Sequence, residues 1–535
     1  MKIDLLDCTL RDGAYIVDSM FGTAAIRGII SHLQDAQVNV IEVGWLKDKP
    51  HKEGSSFYHV PADAERYFLK KNPNCLYVAM IDWDRYDDSV LPPYDGKSID
   101  AVRVVFPYGK HKGGIAIGER IKAKGYTVMY QAANTLAYRN EDIIEMAKDM
   151  NAVKPSSLSI VDTFGAMYEE DLERIATCLD AHLDKDIKIG IHTHNNQQMA
   201  FALSLKFLSL MKDSGREVMV DASLSGMGRG AGNATTELIA NYLNKKMDCH
   251  YNVDAIMDAI DVYMGYFHEN YEWGYSTPYC IAGMYCCHVN NIAYLLKNHR
   301  TSFKDMRVII ESLPPDDRKK YDYDLLEEKY IQNQSRYIDD SNAMDNLKKE
   351  LGDKAILLIA PGKTSLEEKA KIQEYININR PVVIGVNAII PGYKYDYLFF
   401  VNPARYEYAQ NSYPDAFKET KRILLSNIKQ EAGDKETVVG FNTVIKRGWQ
   451  HFDNAVICAL RLADKLGVNN VSIAGFDGFR HKYNESYADA YLPSLNPDNK
   501  WDELNAEIFE MFEDFKKYSA NCKNIYFVTE SFFNK

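Results

Sequence analysis

Short β-branched runs alternate with helical stretches through the first 240 residues, and no other feature narrows the fold as much. Strands are predicted at 3–7, 38–43, 76–81, 101–105, 127–131, 157–161, 187–191 and 217–222. Helical patterns fill the gaps, for example at 23–36, 141–150, 169–182 and 198–211. Regular strand–helix alternation implies a parallel sheet, because a helix is the usual crossover between parallel neighbours. Eight such units of roughly 25–35 residues each match a TIM (β/α)₈ barrel. The alternative is an open doubly wound sheet.

The pattern changes after residue 245. From 246 to 350 strand candidates are few and helical stretches dominate, including 280–298 and 302–312. Pro314, Pro315 and the charged run 316–320 mark a break, and 321–353 is polar. This stretch reads as a helical connector. Alternation resumes with strands predicted at 355–360, 382–386, 397–401, 437–440 and 470–474, and helices at 366–375 and 454–466. The expected architecture is therefore an α/β barrel over 1–245, a helical extension over 246–350, and an open, Rossmann-like α/β domain over 351–535.

Three segments at the C-terminal ends of barrel strands carry the chemistry. That end is where such barrels place their active sites. The first is Asp7-Cys8-Thr9-Leu10-Arg11-Asp12-Gly13, with one hard oxygen ligand beside a fixed cation. The second is Gly190-Ile191-His192-Thr193-His194-Asn195-Asn196. Two histidines two apart on an extended segment share a face, as a two-ligand metal site requires. The third is Ser223-Leu224-Ser225-Gly226-Met227-Gly228-Arg229-Gly230-Ala231-Gly232-Asn233. Its glycines Gly228, Gly230 and Gly232 let the backbone approach a ligand closely, and its end is a neutral oxygen donor at a helix start. In a closed ring the first, seventh and eighth strands are neighbours, so Asp12, His192, His194 and Asn233 converge. Two imidazoles with one or two oxygens suit a divalent cation, with Mn²⁺ the first choice and Mg²⁺, Co²⁺, Fe²⁺ or Zn²⁺ open.

Leu10-Arg11-Asp12-Gly13, His192-Thr193-His194-Asn195 and the 226–233 loop resemble the three signatures of the DRE-TIM metallolyase (HMG-CoA lyase-like) superfamily. The resemblance covers roughly residues 1–300. It implies that Asp12, His192 and His194 are metal ligands, with Asn233 a fourth, and that Arg11 holds and polarises a substrate oxygen. Glu42, in Ile41-Glu42-Val43-Gly44, matches the acidic residue that ends the family's second strand, and Asp162-Thr163-Phe164-Gly165 matches its sixth-strand ending. Ala282-Gly283-Met284-Tyr285-Cys286-Cys287 is similar to a segment of the 4-hydroxy-2-oxovalerate aldolase branch in which the tyrosine belongs to the active site, so Tyr285 is a candidate for orienting substrate or moving a proton. Tyr15 stands where that branch carries a histidine base, and an ordinary phenol is a poor base near neutral pH. His288 is a second candidate for that role. The implied reaction is an aldol cleavage or condensation between a pyruvate-like 2-oxo acid and an aldehyde, through an enolate that the metal stabilises. A Claisen condensation with an acyl-CoA keeps the fold and changes the partner. A third reading puts the main activity, a transfer reaction, in the C-terminal domain.

That domain contains Gly362-Lys363-Thr364 after a predicted strand, but Leu357 stands where the first glycine of a P-loop belongs. Ala474-Gly475-Phe476-Asp477-Gly478-Phe479 looks like the ligand-facing end of an open sheet. The pair weakly resembles a Rossmann-like family with pterin-pyrophosphokinase-like and sialyltransferase-like members, which makes a nucleotide or sugar-nucleotide a candidate ligand. Cys286-Cys287-His288 lacks a second pair at ligand spacing and is not read as a metal site. The net charge of −12 argues against nucleic acid or an anionic membrane as partner. Nine irregularly spaced cysteines and the lack of an apolar N-terminal run fit a reducing cytoplasm. A homo-oligomer is expected.

Overall fold

The computed structural model describes residues 2–299, 301–334, 338–428, 433–449, 454–480, 486–493 and 501–534. They divide into two compact units, Met1–Val289 with Arg318–Lys320, and Asn290–Asp317 with Tyr321–Lys535. The expected connector, 246–350, is thus shared between the two units.

The first unit is a closed ring of eight parallel strands: β1 (Ile3–Asp7), β2 (Val40–Leu46), β3 (Leu76–Asp82), β4 (Ala101–Phe106), β5 (Thr127–Ala132), β6 (Ser157–Asp162), β7 (Lys188–Thr193) and β8 (Val218–Ala222). A two-residue strand, Phe57–Tyr58, adds to the outside of β2. Closure is explicit at β1. Its residues Leu6 and Asp7 lie opposite Val40 and Ile41 of β2, while Ile3 to Asp7 lie opposite Val218 to Ala222 of β8. The open-sheet alternative is thereby excluded.

The strand period of two sorts the side chains. Leu5, Ile41, Val43, Val102, Val104, Ile189, Ile191, Val218 and Val220 point outward and join the core beneath the helices. Each such fully buried aliphatic side chain contributes about 1.5–3 kcal/mol relative to exposure. Their alternates point into the ring. At one level these are apolar, with Leu6, Val40, Val78, Ala101, Met129 and Met219 in one cluster. Two residues further along the strands they are charged: Glu42, Arg103 and Asp221 are all at most 1% exposed. Layering of this kind fills a barrel interior. Here it sets a buried ionic layer directly beneath the mouth.

The β1 end is held by Asp7, whose carboxylate accepts the Thr9 N–H at 2.9 Å and the Thr236 hydroxyl at 2.7 Å. Burial outweighs these bonds and pushes the Asp7 carboxyl up from 3.8 to about 6. A carboxyl whose folded pKa is raised stabilises the fold fully below its unfolded pKa and loses that contribution as pH rises through the folded value. The loss for Asp7 therefore falls between about pH 4 and about pH 6 and amounts to about 3 kcal/mol at most. In urea denaturation of the barrel, Asp7→Asn is expected to gain stability relative to wild type over that window. Parallel pH profiles for the two proteins would contradict the assignment.

The helical stretch expected at 280–298 is interrupted. Thr277–Met284 ends at Tyr285, Cys286 takes φ +48°, and Val289–Asn298 begins afresh. The N–H of Cys287 bonds to the Ala282 carbonyl at 2.8 Å and that of Cys286 to Gly283 at 3.2 Å, a Schellman ending with cysteine where glycine is usual.

The second unit holds a seven-stranded, all-parallel sheet: β9 (Ile356–Ile359), β10 (Val382–Val386), β11 (Tyr397–Phe400), β12 (Lys421–Leu425), β13 (Glu436–Val439), β14 (Asn470–Ala474) and β15 (Asn524–Phe527). The spatial order is β13-β12-β11-β10-β9-β14-β15. Succession runs to one side from β9 as far as β13, then restarts on its other side with β14. All nine cysteines are free thiols. Among the described residues no helix is long and apolar enough to cross a membrane.

Candidate metal centre

Asp12 lies on a single helical turn, Thr9–Asp12, that follows β1 directly. Its N–H bonds back to the Cys8 carbonyl at 2.8 Å, and the Thr9 hydroxyl receives the Leu224 N–H at 2.8 Å, which ties the turn to the end of β8. His192 is on β7 and His194 just beyond it. One potential ligand atom from each of Asp12, His192 and His194 lies within 4.8 Å of the others, and all three residues are buried. The two imidazoles meet edge to face with centroids 5.0 Å apart. Burial lowers the His194 pKa to about 4, so its ring is neutral near neutral pH and a lone pair is available to a cation. Burial opposes ionisation of Asp12, but Arg11 and the neighbouring imidazoles hold its carboxyl well below the usual range. A second acidic cluster, His111, Glu145 and Asp149, lies on the outer helices, where His111 and Lys112 already pair with the acids.

Asn233 completes the group from the glycine loop. Its amide Nδ2 donates to Asp12 Oδ2 at 2.8 Å, while its Oδ1 is buried and meets no hydrogen-bond donor. A buried carbonyl oxygen without a donor costs about 1–3 kcal/mol, and a cation bound beside Asp12 would satisfy it. The residues present therefore fit a divalent ion: two nitrogen donors, a carboxylate and an amide oxygen. The loop glycines make this packing feasible. A Cβ on Gly228 would sit 2.2 Å from Asn233 Nδ2 and 2.5 Å from Asp12 Oδ2. Gly232, at φ +81°, would place one 2.0 Å from the Gly226 carbonyl oxygen. The open faces of Gly228 and Gly232 are thus filled by the site's own atoms, and Gly230 packs against Asn196.

Arg11 connects the site to the ionic layer below it. Its Nη1 donates to Asp12 Oδ1 at 2.6 Å and its Nε to Glu42 Oε2 at 2.7 Å. Glu42 Oε2 also accepts from Arg103 Nη1 at 3.1 Å, and Arg103 Nη2 donates to Asp221 Oδ2 at 2.6 Å. That same Asp221 oxygen lies 3.1 Å from Nδ1 of His192. A closed chain of charge thus runs from Asp12 through Arg11, Glu42, Arg103 and Asp221 to His192. Arg103 and Asp221 were not among the residues singled out from sequence. Their signal was there, as one charge in the middle of Ala101-Val102-Arg103-Val104-Val105 and one in Val218-Met219-Val220-Asp221-Ala222. A carboxylate bonded to the second nitrogen of a metal-binding histidine fixes its tautomer and raises its basicity.

Residues 114–262 match the HMGL-like family model. That match falls largely within the barrel. Over 263 residues the chain is 27% identical to oxaloacetate decarboxylase of Mycobacterium tuberculosis, which spans 48% of this chain and 74% of that enzyme. Over 275 residues it is 28% identical to 4-hydroxy-2-oxovalerate aldolase of Thermomicrobium roseum, spanning 48% of this chain and 70% of that enzyme. The crystal structure of the N-terminal domain of a candidate aldolase from Bacteroides vulgatus superposes over 58% of this chain and all of that domain, with a TM-score of 0.48 and 22% identity. An aldolase and a decarboxylase are both lyases.

At the mouth of the barrel, Arg229 lies over the Tyr15 ring, with Cζ 4.5 Å from its centroid, and its backbone N–H donates to Asp12 Oδ2 at 3.3 Å. Arg229 is a second cation at the site that the sequence did not single out. It was hidden in the glycine run. The Tyr15 ring is 40% exposed, yet its hydroxyl sits among enough protein to push the phenol up to about 12, with Arg229 only partly opposing. Tyr15 therefore stays protonated near neutral pH. His288 goes the other way, lowered to about 3 by burial and by Arg229. Tyr285 ends the helix Thr277–Met284, and its ring lies 5.3 Å from the Arg318 guanidinium. That helix packs on the β6 and β7 tips, where a Cβ on Gly283 would meet Gln197 at 2.8 Å and the Gly165 carbonyl at 2.9 Å. The Trp45 Nε1–H donates to the Arg11 carbonyl at 3.1 Å and steadies the turn that carries both Arg11 and Asp12.

Proposed function

We propose that the barrel is a divalent-metal-dependent lyase that forms or cleaves a carbon–carbon bond beside the carbonyl of a pyruvate-like 2-oxo acid, with an aldehyde as second partner. The observation that carries this reading is the convergence of Asp12, His192 and His194 within 4.8 Å, beside an Asn233 carbonyl oxygen that lacks a protein donor. These four residues would hold the ion, with Mn²⁺ the best match to the donor set and Mg²⁺, Co²⁺ or Zn²⁺ next. When bound, the ion supplies Lewis-acid stabilisation for negative charge building on the 2-oxo acid's oxygens.

The remaining roles fall to the chain's own side chains. Arg11, fixed on both sides by Asp12 and Glu42, presents positive charge where oxyanion charge develops, with no reorganisation needed. Glu42 keeps Arg11 in place. Tyr15, protonated, suits a donor: it would deliver its hydroxyl proton to the alkoxide formed in condensation, or to the carbon left by a departing carboxylate. Tyr285 and His288, carried on and just after the helix over the β6 and β7 tips, would position the second partner. The test uses manganese-loaded protein with 4-hydroxy-2-oxovalerate and, separately, oxaloacetate, and follows pyruvate release. Release from at least one substrate is expected, abolished by chelation and restored by Mn²⁺. Failure of both substrates in the presence of bound metal would overturn the 2-oxo acid assignment.

A further inference from the structure

The barrel mouth carries a second polar feature, on the side of the ring opposite the β6 and β7 tips. Lys47 follows β2 directly, and Asp82 is the last residue of β3. The register sets Trp45 opposite Met80, so one strand repeat further on Lys47 comes level with Asp82. Lys47 Nζ donates to Asp82 Oδ2 at 2.7 Å and stands 3.9 Å from the centroid of the Trp45 ring. The Lys47 backbone is pinned as well. Its N–H bonds to the Tyr58 carbonyl at 2.8 Å, and its carbonyl lies 3.2 Å from Nδ1 of His59.

Two rings connect this pair to the metal centre. Trp45 meets Tyr15 edge to face at 6.0 Å, and its Nε1–H holds the turn that carries Arg11 and Asp12. Burial raises the Tyr15 phenol first, and the charges of Asp12 and Asp82 both add to that rise. The phenol is thus within reach of the charge at both places.

Lys47 and Asp82 together bring no net charge, so they do not select an anion. They do offer hydrogen bonds of both kinds. Among the described residues nothing donates to Asp82 Oδ1, and Lys47 Nζ, with three N–H groups, bonds to no acceptor besides Asp82. The side chains are 22% and 25% exposed, which leaves them open to a small ligand. An ion pair this exposed adds little to stability. A vicinal diol fits it: one hydroxyl donates to Asp82 Oδ1 and its neighbour accepts from Lys47 Nζ, both bonds being charge-assisted. An alkyl chain in the same place would strip water from both groups and return no bond.

We propose that Lys47 and Asp82 select the second partner of the barrel, and that this partner is a hydroxylated aldehyde whose diol lies against the pair. The proposal rests on the aldolase reading given above, in which Tyr15 faces the aldehyde's carbonyl oxygen. The rest of the aldehyde then extends from Tyr15 toward the ends of β2 and β3. Addition of pyruvate to such an aldehyde conserves every atom, with one methyl proton of pyruvate balanced by the proton on the new 4-hydroxyl, and needs no co-reactant.

Steady-state condensation by the manganese-loaded protein tests the proposal, with pyruvate fixed and propanal, butanal, glyceraldehyde or erythrose as partner. Wild type is expected to favour glyceraldehyde over propanal, or erythrose over butanal, by about tenfold or more in kcat/KM, as a site that bonds a substrate hydroxyl discriminates against the analogue lacking it. Lys47→Met and Asp82→Asn should each lower that ratio about tenfold. The loss should appear in KM for the hydroxylated aldehyde rather than in kcat, the mark of a binding contact. Melting curves and metal content of both variants accompany the kinetics, because a disturbed fold would slow every aldehyde alike and leave the ratio unmoved. Plain aldehydes that condense as well as hydroxylated ones in wild type would overturn this proposal and leave the aldolase reading standing, as would variants whose ratio does not move. If no aldehyde condenses with pyruvate, the aldolase reading falls and this proposal with it.

Discussion

Arg11→Ala is expected to lower turnover about 10²- to 10³-fold, or about 3–4 kcal/mol of barrier, which is the usual effect of removing one donor to a developing oxyanion. The guanidinium is held at 2.6 Å by Asp12 and 2.7 Å by Glu42, so it is positioned before substrate arrives. Arg11→Lys should recover little of the loss, because an ammonium cannot bridge two carboxylates and still present a donor face. Steady-state kinetics with the substrate found to release pyruvate, alongside metal content of each variant, separates this role from disruption of the ion site. Near-normal turnover in Arg11→Ala would remove Arg11 from the mechanism.

The second large effect concerns stability. Arg103 is fully buried and balances two buried carboxylates, Glu42 and Asp221. Arg103→Met keeps much of the volume but leaves Asp221 without its cation and Glu42 with Arg11 alone, and breaking a buried ion network in this way costs about 3–5 kcal/mol. Urea denaturation of the barrel should show that loss. Adding Asp221→Asn to Arg103→Met should recover part of it, since one unpaired charge is then gone. A double variant no more stable than the single one would mean that Asp221 is compensated by something other than Arg103. Asp221→Asn alone should leave the fold largely intact yet weaken metal binding about 10- to 100-fold, because it loosens the orientation of His192.

Much of this was legible in the residues themselves. His192 and His194 share a face because a strand repeats every two residues, and Asp12 joins them because ring closure sets β1 beside β8. What was not legible depended on partners distant in sequence. Arg103 sits in an apolar run, and nothing local reveals that β2 and β8 bring Glu42 and Asp221 to it across the ring. The helix His111–Ala123 has a weak signature because it carries Gly113, Gly114 and Gly118. Each of these packs against an aromatic ring, with a Cβ on Gly118 falling 2.0 Å from the Tyr130 hydroxyl and one on Gly113 falling 2.2 Å from Trp83. In the second sheet β12 was missed because it opens on Lys421 and Arg422. The edge strand β15 was missed because every residue from Asn524 to Phe527 is at least half-exposed or intermediate, which leaves no clean alternation. The break at Cys286 was invisible because a cysteine occupies a position where glycine would announce a helix end.

Equilibrium titration of Mn²⁺ into chelator-stripped protein bears most directly on the convergence of Asp12, His192 and His194. Wild type should take up one ion per chain at this site, and His194→Ala should lose affinity by about a hundredfold or more, beyond the effect of disturbing a supporting residue. Wild-type protein that takes up no ion, or a His194→Ala variant that binds it as tightly as wild type, would contradict a shared cation at the barrel mouth.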